Sequence, residues 1–94
     1  MTHNLTIKNV ELEETFKKLF GIKISALLDV CPSDAGANSH ITKTQSGYRG
    51  VLEVVSSQGK FVVEEVGHDL NKMVKSLFEL MHRQINQWRV HRFL

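Results

Sequence analysis

The run over residues 67–92, GHDLNKMVKSLFELMHRQINQWRVHR, constrains this chain more than any other stretch, because it holds the longest amphipathic pattern. Leu70, Met73, Val74, Leu77, Phe78, Met81, Ile85 and Trp88 recur at three- and four-residue steps, which keeps them on one side of a 3.6-residue turn. Such a side needs a core to pack against. Gly67 suits a turn and Asp69 an N-cap, its carboxylate accepting from backbone N–H groups that a first helical turn leaves unpaired. The spacing therefore predicts a helix starting near Leu70. Its opposite side carries Lys72, Lys75, Glu79, His82, Arg83 and Asn86, with Arg89 at the margin and Arg92 beyond, a basic ridge about 30 Å long. Two ordinary reasons for that charge precede any function. Cations favour the C-terminal end of a helix, and Glu79 stands one turn from both Lys75 and Arg83, within reach of a pair with either.

Upstream, residues 3–8 alternate Leu5 and Ile7 with polar neighbours, as a half-buried strand does. From about Leu12 a second helix is predicted: Phe16, Leu19, Phe20, Ile24, Leu27, Leu28 and Cys31 recur at helical spacing, Glu13 and Glu14 complement the first turn, and Pro32 marks the stop. Gly21 lies inside it, where glycine costs about 1 kcal/mol relative to alanine, so a kink, a shortening or a close backbone approach is expected. Lys23 falls near the buried side, its methylenes packing while the ammonium reaches the rim.

Residues 32–39, PSDAGANS, have loop chemistry. A short strand over 39–44, a turn at 45–47, the strongest strand over 48–55, a hairpin turn at 56–59 and a return strand over 60–66 follow, with Gly59 supplying a positive φ. The order strand, helix, strand, strand, strand, helix predicts an α+β fold, βαβββα. The compact solution is a four-stranded mixed sheet, parallel across the first crossover and antiparallel at the two tight turns. Both helices pack on one face and leave the other to solvent.

With 94 residues, 41% hydrophobic and 23% charged, the chain reads as one globular domain over 1–94. No apolar run is long enough for a membrane span, residues 1–8 hold no signal-peptide apolar segment, and the single cysteine, Cys31, has no internal disulfide partner and reads as a small core residue, so a cytosolic protein is expected. A net charge of +2 attracts a polyanion only weakly as a whole, so any nucleic-acid site must come from local clustering. Catalytic chemistry finds no support. There is no glycine-rich phosphate loop, metalloprotease signature or Ser/His/Asp context, Asp69 beside His68 is already committed to capping, and His82 and His91 stand nine apart, off the one- or two-turn spacing of helix ligands. Neither enzymatic activity nor a bound metal is expected. Tyr48 and Trp88 offer rings on which bases stack, but Trp88 falls on the apolar side of its helix and is expected to close the end of the core.

The opening Asn4-Leu5-Thr6 followed by Asn9-Val10-Glu11-Leu12-Glu13-Glu14, and the later Val66-Gly67-His68-Asp69-Leu70 with Leu77 and Arg83-Gln84-Ile85, resemble the ribosome hibernation-promoting factors, also called sigma-54 modulation or ribosome-associated inhibitor proteins. The resemblance spans nearly the whole chain and is to the short forms, which lack the second, dimerising domain. It implies a βαβββα fold and a stress-response protein that occupies the messenger and transfer RNA channel of the small ribosomal subunit. The contacts would be to ribosomal RNA, through basic residues of both helices. It needs no cofactor and takes no small-molecule substrate. Carried over by position, Lys23 matches a first-helix lysine of the family, Arg83 a second-helix arginine and Arg89 a further basic position. Lys18, Lys72, Lys75 and Arg92 join them from the helical wheel and charge alone. Ala26, Leu80 and Gln87 stand where relatives usually carry lysine, Asn71 where tyrosine is common, and Lys75 where an acid is common. These departures imply fewer phosphate contacts than in a strongly basic member. The competing expectation is a protein-interaction module on the same fold. It would bind a regulatory partner or a second copy through the Trp88 end or an exposed Val51, Val55, Val62 and Val66 patch on the open sheet face.

Overall fold

The computed structural model describes residues 3–8, 10–31 and 34–92. Six elements follow the predicted order: β1 (His3–Lys8), α1 (Glu14–Asp29), β2 (Gly36–Thr44), β3 (Gly47–Ser56), β4 (Gly59–Gly67) and α2 (Leu70–Arg92). The strands lie in sequence order across one sheet, β1 parallel to β2 and the other two pairings antiparallel.

α2 starts where the capping signal places it: the Lys72 N–H donates to Asp69 Oδ1 at 3.0 Å. Met73, Val74, Leu77, Phe78, Met81 and Ile85 are buried, and Leu70 and Trp88 half-buried at the ends of the stripe. Trp88 closes the core as expected, meeting Phe61 edge to face at 6.1 Å.

α1 is shorter than its spacing predicts. Leu12 packs against the core from outside the helix, and Glu13 takes the extended N-cap conformation with no side-chain cap bond. At the other end Val30 N–H donates to the Leu27 carbonyl and Cys31 N–H to that of Leu28, closing the helix before Pro32; Pro32 and Asn9 lie outside the described residues. Cys31 is half-buried beside the core, its Sγ 3.3 Å from the Leu27 carbonyl oxygen, and burial raises its thiol pKa. The helix runs unbroken through Gly21, and no atom lies within 4 Å of where a Cβ would stand, so neither a kink nor a close approach explains this glycine. Leu19 also departs from the stripe. It is 55% exposed, because α1 turns only Phe20, Ile24, Leu27 and Leu28 fully inward.

The loop predicted for 32–39 gives way to strand from Gly36 onward. Residues 36–39 sit between two partners, Ala37 opposite His3 and Val54, Ser39 opposite Leu5 and Leu52. Satisfying the backbone on both sides outweighs the weak strand preference of Gly, Ala, Asn and Ser. Ala37 and Ser39 are fully buried, and the Ser39 hydroxyl donates to the Asn4 carbonyl at 3.3 Å.

One core joins both helices to one face of the sheet through Ala37, Ile41, Leu52, Val54 and Val63. The approach of α2 depends on Gly50, buried on β3: a Cβ there would stand 2.6 Å from Met73 Sδ. At the turns Gly47 (φ 148°) and Gly59 (φ 145°) hold the positive φ that β-carbons disfavour. Gly47 is the tighter, since a Cβ would come within 2.3 Å of the Gly67 carbonyl oxygen.

The two glycines thus oppose each other. Gly21→Ala is expected to raise stability by about 1 kcal/mol, and Gly47→Ala to lower it by at least about 2 kcal/mol, read as midpoint shifts in urea denaturation. Shifts of the same sign would contradict this geometry.

Candidate nucleic-acid interface

The two layers treat their charges differently. On the open sheet face the cations of β3 and β4 are held, while Lys8 on β1 is exposed and has no ion pair among the described residues. Arg49 donates to Glu64 at 2.6 Å and Lys60 Nζ lies 3.1 Å from Glu53, each pair diagonal across β3 and β4. On the helix-facing side of the same sheet, Lys43 Nζ sits 4.5 Å from the centre of the Tyr48 ring, its register partner, so that ring is already engaged by a cation. A polar ladder crosses all four strands: the Asn4 amide donates to Asn38 at 3.3 Å, Asn38 donates to Glu53 at 3.2 Å, and Glu53 meets Lys60.

On the helix side Lys18, Lys23, Lys72, Lys75, Arg83 and Arg89 are exposed, and among the described residues none of the six is ion-paired. Lys17 is held by Glu14 at 3.4 Å. Among the described residues Glu79 pairs with neither Lys75 nor Arg83, which leaves both cations available. Arg92 falls in the last turn of α2, and its side chain lies outside the described residues.

Geometry brings two of these cations together. Lys23 and Lys75 both line a hollow of about 300 Å³ between α1 and α2, floored by Phe16, Leu19, Phe20 and Val74. Lys23 is more exposed than its place on the wheel implies, and its ammonium stands 5.9 Å from the centre of the Phe78 ring, which itself packs edge to face on Phe20. Arg83, eight residues beyond Lys75, is about 12 Å further along α2 and turned about 80° around it, pointing outward rather than into the hollow. Lys72 lies on the other flank of α2, lining a hollow with Glu65, His68 and Asp69. The ridge is therefore a spread of separate charges over the helix layer, suited to several phosphates rather than one. Of the positions at which the sequence resemblance leads to an expectation of lysine, Ala26 and Gln87 are exposed and Leu80 is half-buried against the core.

The valines of the open face do not merge into one apolar patch. Val55, Val62 and Val66 are 40%, 46% and 56% exposed and Val51 half-buried, but in register they stand opposite Lys60, Glu53, Arg49 and Glu64. Sequence reasoning missed this chequerboard, though the alternation of Val with Glu, Lys and Arg along both strands carries it.

A four-stranded mixed sheet covered on one face by two helices is a fold already seen in solved structures. The N-terminal domain of Thermus thermophilus Protein Y matches 90% of this chain and 94% of its own length, at 18% identity and a TM-score of 0.78. A ribosomal subunit interface protein from Coxiella burnetii matches 96% of this chain and 99% of its own length, at 14% identity and a TM-score of 0.80. Both belong to the hibernation-promoting factor family, so this chain has the fold that the sequence resemblance implies. No protein-family profile and no curated protein matches the chain.

The paired sheet face predicts an acid response. The hydrogen bonds from Lys60 and Asn38 hold the Glu53 carboxyl below the ordinary glutamate value, and Arg49 does the same for Glu64. A folded value below the unfolded one contributes stability that is present above the unfolded value and lost as pH falls through the folded one. The melting temperature should therefore fall as pH drops below about 4, and Glu53→Gln plus Glu64→Gln should flatten that fall. An unchanged acid limb in the double variant would contradict the assignment.

Proposed function

We propose that this chain, as a single domain, is a ribosome-associated factor of the hibernation type. It silences translation by occupying the decoding region of the small subunit during starvation or stasis. Lys23, Arg83 and Arg89 meet phosphates of ribosomal RNA, and Lys18, Lys72, Lys75 and Arg92 extend the contact along both helices. The mechanism is steric: a folded domain in the channel excludes messenger and transfer RNA, so no cofactor or small-molecule substrate is required. The reading also places the protein in the cytosol.

The observation that carries this reading is the sorting of charge between layers. The cations of β3 and β4 are satisfied within the molecule, whereas Lys18 and Lys23 of α1 and Lys72, Lys75, Arg83 and Arg89 of α2, at least 49 residues apart in sequence between the two helices, share one layer with no ion pair among the described residues. A folded polyanion supplies the missing partners. Contacts of this kind position a protein by shape and charge with little reading of bases. The sequence resemblance to the hibernation-promoting factors, the shared fold and the Coxiella protein's description as a ribosomal subunit interface protein support the same assignment.

Co-sedimentation with isolated small subunits over a salt series tests it. Binding is expected at low salt and is expected to fall steeply as salt rises, since each phosphate contact releases counterions. Lys23→Glu combined with Arg83→Glu should abolish it. No binding at low salt, or wild-type binding by the double variant, would overturn the reading.

A further inference from the structure

The free cations account for part of the helix layer and leave another part unexplained. Leu19 and Ile22 are 55% and 65% exposed, apolar surface for which an RNA phosphate has no use. Thr15, Leu19, Ile22 and Ala26 recur at steps of four, three and four, forming a second stripe on α1 that faces away from the core, and all four are exposed. Beside this stripe lies the hollow holding Lys23 and Lys75. A second hollow of about 390 Å³ adjoins it, sharing Phe16, Leu19 and Asn71 and bordered by Glu11 and Glu13. The two form one furrow between α1 and α2. Its middle is apolar, one end is basic and the other acidic.

That polarity identifies the occupant. A nucleic-acid strand laid along the furrow would meet carboxylates at one end, whereas a peptide helix can carry acids at one end, bases at the other and leucine-like side chains between. From Glu13 to Lys23 is ten residues of α1, about 15 Å, or roughly three turns of a docked helix. A helix is itself favoured by acids at its N-terminus and bases at its C-terminus, so an occupant with its acidic end over Lys23 and Lys75 runs antiparallel to α1. We propose that the α1–α2 furrow is a docking site for an amphipathic helix of a partner protein, acidic at its N-terminal end, apolar on one side and basic at its C-terminal end. Leu19, which lines both hollows, and Ile22, on the exposed crest of α1 beside them, contact the apolar side, Lys23 and Lys75 the acids, and Glu11 and Glu13 the bases, a helix-in-groove mode of recognition. The site stands independently of ribosome binding. Because Lys23 and Lys75 serve both, a docked helix and ribosomal RNA would exclude each other.

The test uses a capped, dye-labelled helical peptide of about twelve residues, with two glutamates at its N-terminus, leucines along one side and two lysines at its C-terminus. Binding is read by fluorescence anisotropy against the full chain. Saturable binding is expected, weakened at least about tenfold by Leu19→Gln plus Ile22→Gln. These exposed positions keep both the fold, checked by circular dichroism, and the phosphate-binding charges, so small-subunit co-sedimentation of that variant should match wild type. Lys23→Glu plus Lys75→Glu should make a peptide with lysines at both ends the tighter ligand. Equal binding of a peptide with glutamates at both ends would reduce the site to anion attraction and overturn the proposal. So would unchanged affinity in the Leu19/Ile22 variant, or loss of oligouridylate binding in that variant, which would assign the furrow to RNA.

Discussion

Each helix is apolar over one side only, and a four-stranded sheet of this size can cover both of those sides only by offering one face to the pair. That constraint fixes the rest of the molecule. It brings α2 down on β3 at Gly50, where Met73 fills the space a side chain would take. It also divides the surface in two, because side chains on the uncovered face of a pleated sheet lie within reach of diagonal neighbours across strands, as Arg49 and Glu64 do, while those on separate helices do not. Opposite charges on β3 and β4 find each other within 3.1 Å; Lys75 and Glu79, one turn apart on α2, do not. On α1 the Lys17–Glu14 pair does form, so the sorting is carried by the particular positions on α2 and on β3 and β4.

Function in this account rests on that division. A net charge of +2 is small, yet a layer whose cations lack internal partners presents more usable positive charge than the total indicates. The absent lysines at Ala26, Leu80 and Gln87 thin the layer without reversing it. Ala26, at a position where the sequence resemblance implies lysine, instead continues the exposed Thr15, Leu19, Ile22 stripe and lengthens the seam proposed for a partner helix.

Much of the architecture was legible in the sequence, and the reason is periodicity. The 3.6-residue pattern of α2 and its Asp69 cap placed that element to the residue, and the alternation in β1 did the same. Where tertiary context decides, the sequence was a poorer guide. Residues 36–39 look like a loop and are a strand because neighbours on both sides complete their hydrogen bonding. Gly21 implied a distortion that its surroundings do not require. Leu19 matched the core spacing of α1, but a helix half covering a small sheet buries a narrower stripe than its apolar residues could fill. The candidate cations were named from the wheel and motif. That Lys23 and Lys75 meet across two helices, while Arg83 points outward, depends on helix packing that no single-helix pattern contains.

The most direct test of the central claim compares the two layers as sources of affinity. Small-subunit affinity would be measured against salt for a helix-layer variant, Lys23, Lys75 and Arg83 to Gln, and for a sheet-face variant, Arg49 and Lys60 to Gln. The account predicts that the slope of log affinity on log salt falls by roughly one for each helix cation removed and stays at the wild-type value for the sheet variant. A slope changed by the sheet variant and untouched by the helix variant would contradict it.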